Sequence, residues 1–197
     1  MALISKIKNT ADSVDYNIRD DVHTWGGRNL MLHTDYATYG TSTFFNDGIP
    51  SVSINNNKMT IPYATSIAHL SKKNVLSFTI PSNTIVTCSV YVYENTIADG
   101  THAVRVGRIA NIEGTSVSFS DWQTIPTGFT GLYSWQWKFS STTDAYGFIL
   151  NFSTTQSTSG NMILGRVKVE IGNKPTDWSP APEDIAYVNG TTLELLS

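Results

Sequence analysis

Along most of the chain, apolar and polar residues alternate with a period of two, the spacing at which side chains of an extended strand share a face. In residues 86–93, Val86, Cys88, Val90 and Val92 fall on one side, and Thr87, Ser89, Tyr91 and Tyr93 on the other. The same alternation separates Tyr133, Trp135, Trp137 and Phe139 from Ser134, Gln136 and Lys138, and Tyr146, Phe148, Leu150 and Phe152 from Asn151. Over 163–171 the apolar set reads Ile163, Val167, Val169 and Ile171, which turns Arg166, Lys168 and Glu170 outward; Val104 and Val106 likewise turn Arg105 outward. The pattern predicts strands over 29–33, 52–54, 59–61, 74–80, 85–94, 103–109, 116–120, 133–140, 145–153 and 162–171. Turn-forming runs such as Asn55-Asn56-Asn57 and Ala98-Asp99-Gly100 lie between them. Many short strands at such spacing make an antiparallel jelly-roll β-sandwich.

Residues 3–22 follow another period. Ile4, Ile7, Ala11, Val14 and Ile18 recur at steps of three and four, with Lys6, Lys8, Asp12, Asp15 and Arg19 between them. Such a seam predicts a helix, and one so short is marginal on its own in water, so its stripe needs a partner. β-Branched residues at both seam positions lean toward three strands, so we expect a homotrimeric coiled-coil stalk over 1–27, ending at the Gly26-Gly27 hinge. Packing of the helix on the chain's own β domain is the alternative. The β domain then covers 28–180, and residues 181–197, with Pro182 and the Asn189-Gly190 turn, form a tail or connector.

Composition sharpens this division. Ser and Thr make up 46 of 197 residues, aromatics 11% and charged residues only 15%, which suits strands with hydroxylated faces better than helices. Of the 29 charged side chains, 13 lie in residues 29–165, so the middle of the chain is weakly charged. A net charge of −3 with scattered Lys and Arg provides no basic stripe for nucleic acid. The longest apolar runs fall far short of the ~20 residues needed to span a bilayer, and the first residues lack the apolar stretch of a secretion signal. The lone Cys88 can form no internal disulfide and reads as a buried small hydrophobe.

Little catalytic chemistry is legible. His23, His33, His69 and His102 show no metal-ligand spacing, so no cofactor is expected, though a structural calcium on loop carbonyls and Asp35 stays open. No nucleophile elbow, phosphate loop or dinucleotide fingerprint occurs. A glycosidase needs two facing carboxylates. Glu94, Asp99, Glu113 and Asp121 each stand at a turn or strand end, where acids are ordinary, so an enzyme is not expected.

The outward sets hold more. If they share one sheet, Tyr91, Tyr93, Arg105 and Gln136 form an open groove of flat rings beside planar hydrogen-bonding groups, with Trp122 at its rim. Sugars suit that surface, because their C–H faces stack on rings while their hydroxyls need donors and acceptors. The plainer alternative is a solvated sheet face with two incidental tyrosines.

The borders of the β body carry a resemblance. Gly27-Arg28-Asn29-Leu30-Met31-Leu32 at its start, and Gly165-Arg166-Val167-Lys168-Val169-Glu170-Ile171-Gly172-Asn173-Lys174-Pro175-Thr176-Asp177-Trp178-Ser179-Pro180-Ala181-Pro182-Glu183-Asp184 at its end, resemble the carbohydrate-binding-module-like domains of tail, baseplate and fibre proteins of phages of Gram-positive bacteria. The match is direct over about 25 residues and otherwise one of strand pattern. It implies a receptor-binding jelly roll on a virion, assembled with other phage tail proteins and adhering to host cell-wall polysaccharide. It transfers no binding residue, and it implies that the closing motif is structural, with Trp178 over a sheet edge. A docking module of the tail without glycan binding is the alternative in another class, and a wall-glycan hydrolase the third.

Overall fold

The structure, a computed structural model, describes residues 4–9, 15–19, 27–31, 34, 52–65, 68–71, 78–111, 116–179, 181 and 193–196. Within them the fold is built from antiparallel strands. One five-stranded sheet runs β11 (Gly131–Lys138), β7 (Ile85–Asn95), β14 (Asn161–Ile171), β4 (Lys58–Pro62), β3 (Ser53–Asn55). A second runs β10 (Gln123–Thr124), β8 (Ala103–Ile109), β13 (Phe148–Ser153), β5 (Ala68–Ser71), with β9 (Val117–Phe119) also on β8. A small pair joins β6 (Phe78–Ile80) to β12 (Thr143–Ala145).

The apolar faces read from the alternation meet between the two sheets. Val86, Cys88, Val90 and Val92 from β7 and Val167 and Val169 from β14 pack in one cluster with Val104 and Val106 of β8 and Phe148, Leu150 and Phe152 of β13. All are buried to 1% exposure or less. Each such side chain contributes roughly 1.5–3 kcal/mol on burial. Trp135 belongs to the same cluster, with Trp137 packed against it.

Two irregularities break the period between β7 and β14. The register shifts between Ile163 and Leu164, and again between Gly165 and Lys168, where Arg166 takes a left-handed φ of 48°. Up to the second shift Met162 and Leu164 are the buried residues, and beyond it Val167 and Val169. Ile163, expected in the core, is therefore only half-buried. Each bulge adds one residue to one strand and reverses the faces beyond it.

The border motifs are joined through Asn29. Its side-chain carbonyl accepts from the backbone N–H groups of Met31 and Val169, both at 3.1 Å. Its amide donates to Thr34 Oγ1, Val167 O and Ser179 O. Leu30 N donates to Val169 O at 2.7 Å, and Trp178 Nε1 to Val167 O at 3.2 Å. These groups occupy the edge of β14 beyond Leu164, the last residue at which β4 pairs with it.

The stalk expected over 1–27 is corrected. Residues 4–9 and 15–19 of it are strands: β1 (Ile4–Asn9) pairs with β2 (Asp15–Arg19) on one side and with β15 (Leu193–Leu196) on the other. Isoleucines lose rotamer freedom in a helix, and a strand from the far end of the chain offers ladder hydrogen bonds instead. The coiled coil, and the homotrimer argued from it, have no helix to rest on among the described residues. The expected tail likewise contributes a strand to this sheet.

Candidate functional site

The outward face of the β11-β7-β14 sheet is a set of cross-strand rows. Gln136, Thr87 and Glu170 form one, Ser134, Ser89 and Lys168 the next, and Leu132, Tyr91 and Gly165 the third. In the first two rows the β7 and β14 residues lie under the segment that follows β14, while Gln136 and Ser134 of β11 are exposed. Thr87 Oγ1 donates to Gly172 O (2.7 Å) and Gln136 Nε2 to Asn173 O (2.8 Å). Lys168 Nζ donates to Thr176 Oγ1 (2.6 Å) and Asp177 O (2.7 Å), and stands 3.5 Å from Glu170 Oε2. Thr176 in turn gives its backbone N–H and its hydroxyl to the Glu170 carboxylate. Lys168 and Glu170, expected outward, do point away from the core, yet both are 1% exposed because this segment covers them.

The third row is open. Tyr91 and Tyr93 are half-buried, with ring centres 4.8 Å apart and planes at 53°. Lys58 Nζ stands 4.3 Å from the Tyr93 ring centre and Arg166 Cζ 5.7 Å from that of Tyr91. Leu132 is 48% exposed. Local sequence explains this placement. Asn56 and Asn57, at φ 48° and 61°, close the two-residue β3–β4 hairpin and set Lys58 beside the rings. Gly165 leaves room for Tyr93 and the hairpin, since a Cβ there would lie 2.5 Å from Asn57 O and 3.0 Å from Tyr93 Cε2. The two bulges flank the pair and aim Tyr93 and Arg166.

The five expected residues fall in three places. Tyr91 and Tyr93 stand together. Gln136 shares their face but sits at the covered end. Arg105 and Trp122 belong to the other sheet, where the Arg105 guanidinium stacks on Phe119 (4.0 Å) and Trp122 (4.3 Å). Alternation had identified the outward face of each strand but not its sheet, and the chain crosses from one sheet to the other between β7 and β8. Opposite Arg105, Asn151 is fully buried with both amide atoms unpartnered. Sequence reasoning missed Lys58; the Asn55-Asn56-Asn57 turn was its signal. Arg166 had been placed outward, but not beside Tyr91.

Asp99 accepts from the Thr158 backbone N–H (3.0 Å) and hydroxyl (2.7 Å), which hold its carboxyl below the usual range. Glu113 and Asp35 lie outside the described residues. Among the described residues, no group of three His, Cys, Asp or Glu gathers to hold a metal. Burial pushes the Cys88 thiol up.

The strand arrangement is similar to several solved structures. One is a CBM4 structure, at 13% identity and a TM-score of 0.39, covering 70% of this chain and 84% of that one. Another is the enzymatically active domain of tailspike protein 4 from bacteriophage CBA120, at 14% and 0.45, covering 73% and 21%. A third holds the CBM22-1 and GH10 modules of a Clostridium thermocellum xylanase complexed with xylohexaose, at 15% and 0.43, covering 77% and 29%. No protein-family model and no curated protein matches the chain.

Proposed function

We propose that this chain is a non-catalytic glycan-binding module, a jelly roll carried on a phage virion that adheres to host cell-wall polysaccharide. The Tyr91–Tyr93 pair carries the reading: two adjacent rings on the uncovered end of a sheet face, with nitrogen donors beside them. Rings give a sugar its stacking surface, and nearby donors fix its hydroxyls. The virion setting rests on the border motifs, whose residues here form the Asn29 and Lys168–Glu170 hydrogen-bond networks.

Titration of the purified chain with extracted host wall polysaccharide is expected to show weak, saturable binding without release of reducing sugar. Tyr91→Ala and Tyr93→Ala should each weaken it by on the order of tenfold, with the urea midpoint nearly unchanged. Full binding by the double variant would move the site to the Arg105–Trp122 face. Failure across a glycan panel, with tight binding to another tail protein, would replace the reading with a docking module.

A further inference from the structure

We infer that the Tyr91–Tyr93 face is built for an anionic saccharide, one carrying phosphodiester or carboxylate groups along its chain. The inference rests on the glycan-binding reading and names its substrate class.

The observation is a pair of cations with no anionic partner among the described residues. Lys58 and Arg166 each lie against one ring of the tyrosine pair. Neither makes an ion pair or hydrogen bond with any described residue. Two positive charges therefore converge on one small surface of a chain whose net charge is −3. Lys168, two residues beyond Arg166, is by contrast satisfied by Glu170, Thr176 and Asp177.

Backbone conformation points the same way. Arg166 sits at φ 48°, a region that costs a residue with a side chain on the order of 1 kcal/mol or more. Glycine would occupy it without strain. An arginine there places five N–H donors beside the Tyr91 ring, in a planar fork that matches phosphate or carboxylate oxygens. Lys58 adds a compact charge on the Tyr93 side. With ring centres 4.8 Å apart, a ligand unit seated on both rings meets both cations.

The test titrates the whole chain with three polymers, at low salt and at about 0.5 M NaCl, where exposed charges are strongly screened. They are a phosphodiester-linked polyol-sugar polymer, a polyuronate and a neutral β-glucan. The expected result is binding to one or both anionic polymers that falls with salt; which of the two binds tighter identifies the anion. Lys58→Gln and Arg166→Gln should each cost about five- to tenfold and flatten the salt dependence, with Arg166→Lys recovering part of the loss. Equal, salt-insensitive binding of the neutral glucan would overturn the anionic class while leaving the glycan-binding reading intact. Binding of none of the three, with wall polysaccharide also unbound, would overturn both. Lys58 is exposed at the start of a hairpin strand, so its variant keeps the test valid if Arg166→Gln alters folding.

Discussion

Strand β14 places two cations two residues apart, with opposite fates. Lys168 is sealed at 1% exposure beneath the segment 172–178 and bonded to the Glu170 carboxylate and its neighbours. Arg166, within the bulge before it, is exposed and strained, and among the described residues it pairs only with a ring. A buried charge survives only when its partners come with it, so the covered end of the face is fixed by internal bonds. At the open end the described contacts of the two cations are with the tyrosine rings. On the proposed function, the same sheet face is structural at one end and a recognition surface at the other, with the Ser89–Lys168 row as the boundary.

The sharpest way to break this contrast is Glu170→Ala, which leaves Lys168 charged, buried and short of its carboxylate. We expect a loss of about 3–5 kcal/mol in urea unfolding, with glycan affinity per folded molecule little changed. Gly165→Ala acts in the open row. Its methyl would press on the Asn57 carbonyl and the Tyr93 ring, so stability should drop by roughly 1–3 kcal/mol and binding should weaken with it. Arg166→Gly should separate the two roles: release of the left-handed strain raises stability by about 1 kcal/mol or less, while affinity for the anionic polymer falls. A variant that lost both stability and binding would place Arg166 with the structural half.

How much of this was legible depends on what period-two alternation can carry. It marked β8 to the residue and the valine face of β7, because a strand's faces are a local property. It misplaced Ile163, because nothing local announces a bulge. It put Lys168 and Glu170 on the correct side without revealing what covers them, since the cover is a later segment that folds back. The steps from Ile4 to Ile18 satisfy a helix as well as they satisfy two short strands, and the deciding partner, Leu193–Leu196, lies at the other end of the sequence. For the candidate site, the tyrosine pair was visible as neighbours on one strand. Lys58 and Arg166 reach it through a hairpin and a bulge, and Arg105, grouped with the tyrosines on the condition of a shared sheet, lies on the other one.

The Asn29 carboxamide has a consequence for synthesis. Its partners Val169 and Ser179 follow it by 140 and 150 residues. The strand that joins β7 to β4 is also the last of the sandwich to be made. A nascent chain emerging from the ribosome therefore holds two incomplete half-sheets, with the β14-pairing edge of β7 open, until Ile171 and then Ser179 have left the exit tunnel. Closing so distant a loop is slow relative to local pairing. This sandwich is expected to acquire its stability in one late step, with its early strands most exposed to misassociation while translation is still under way.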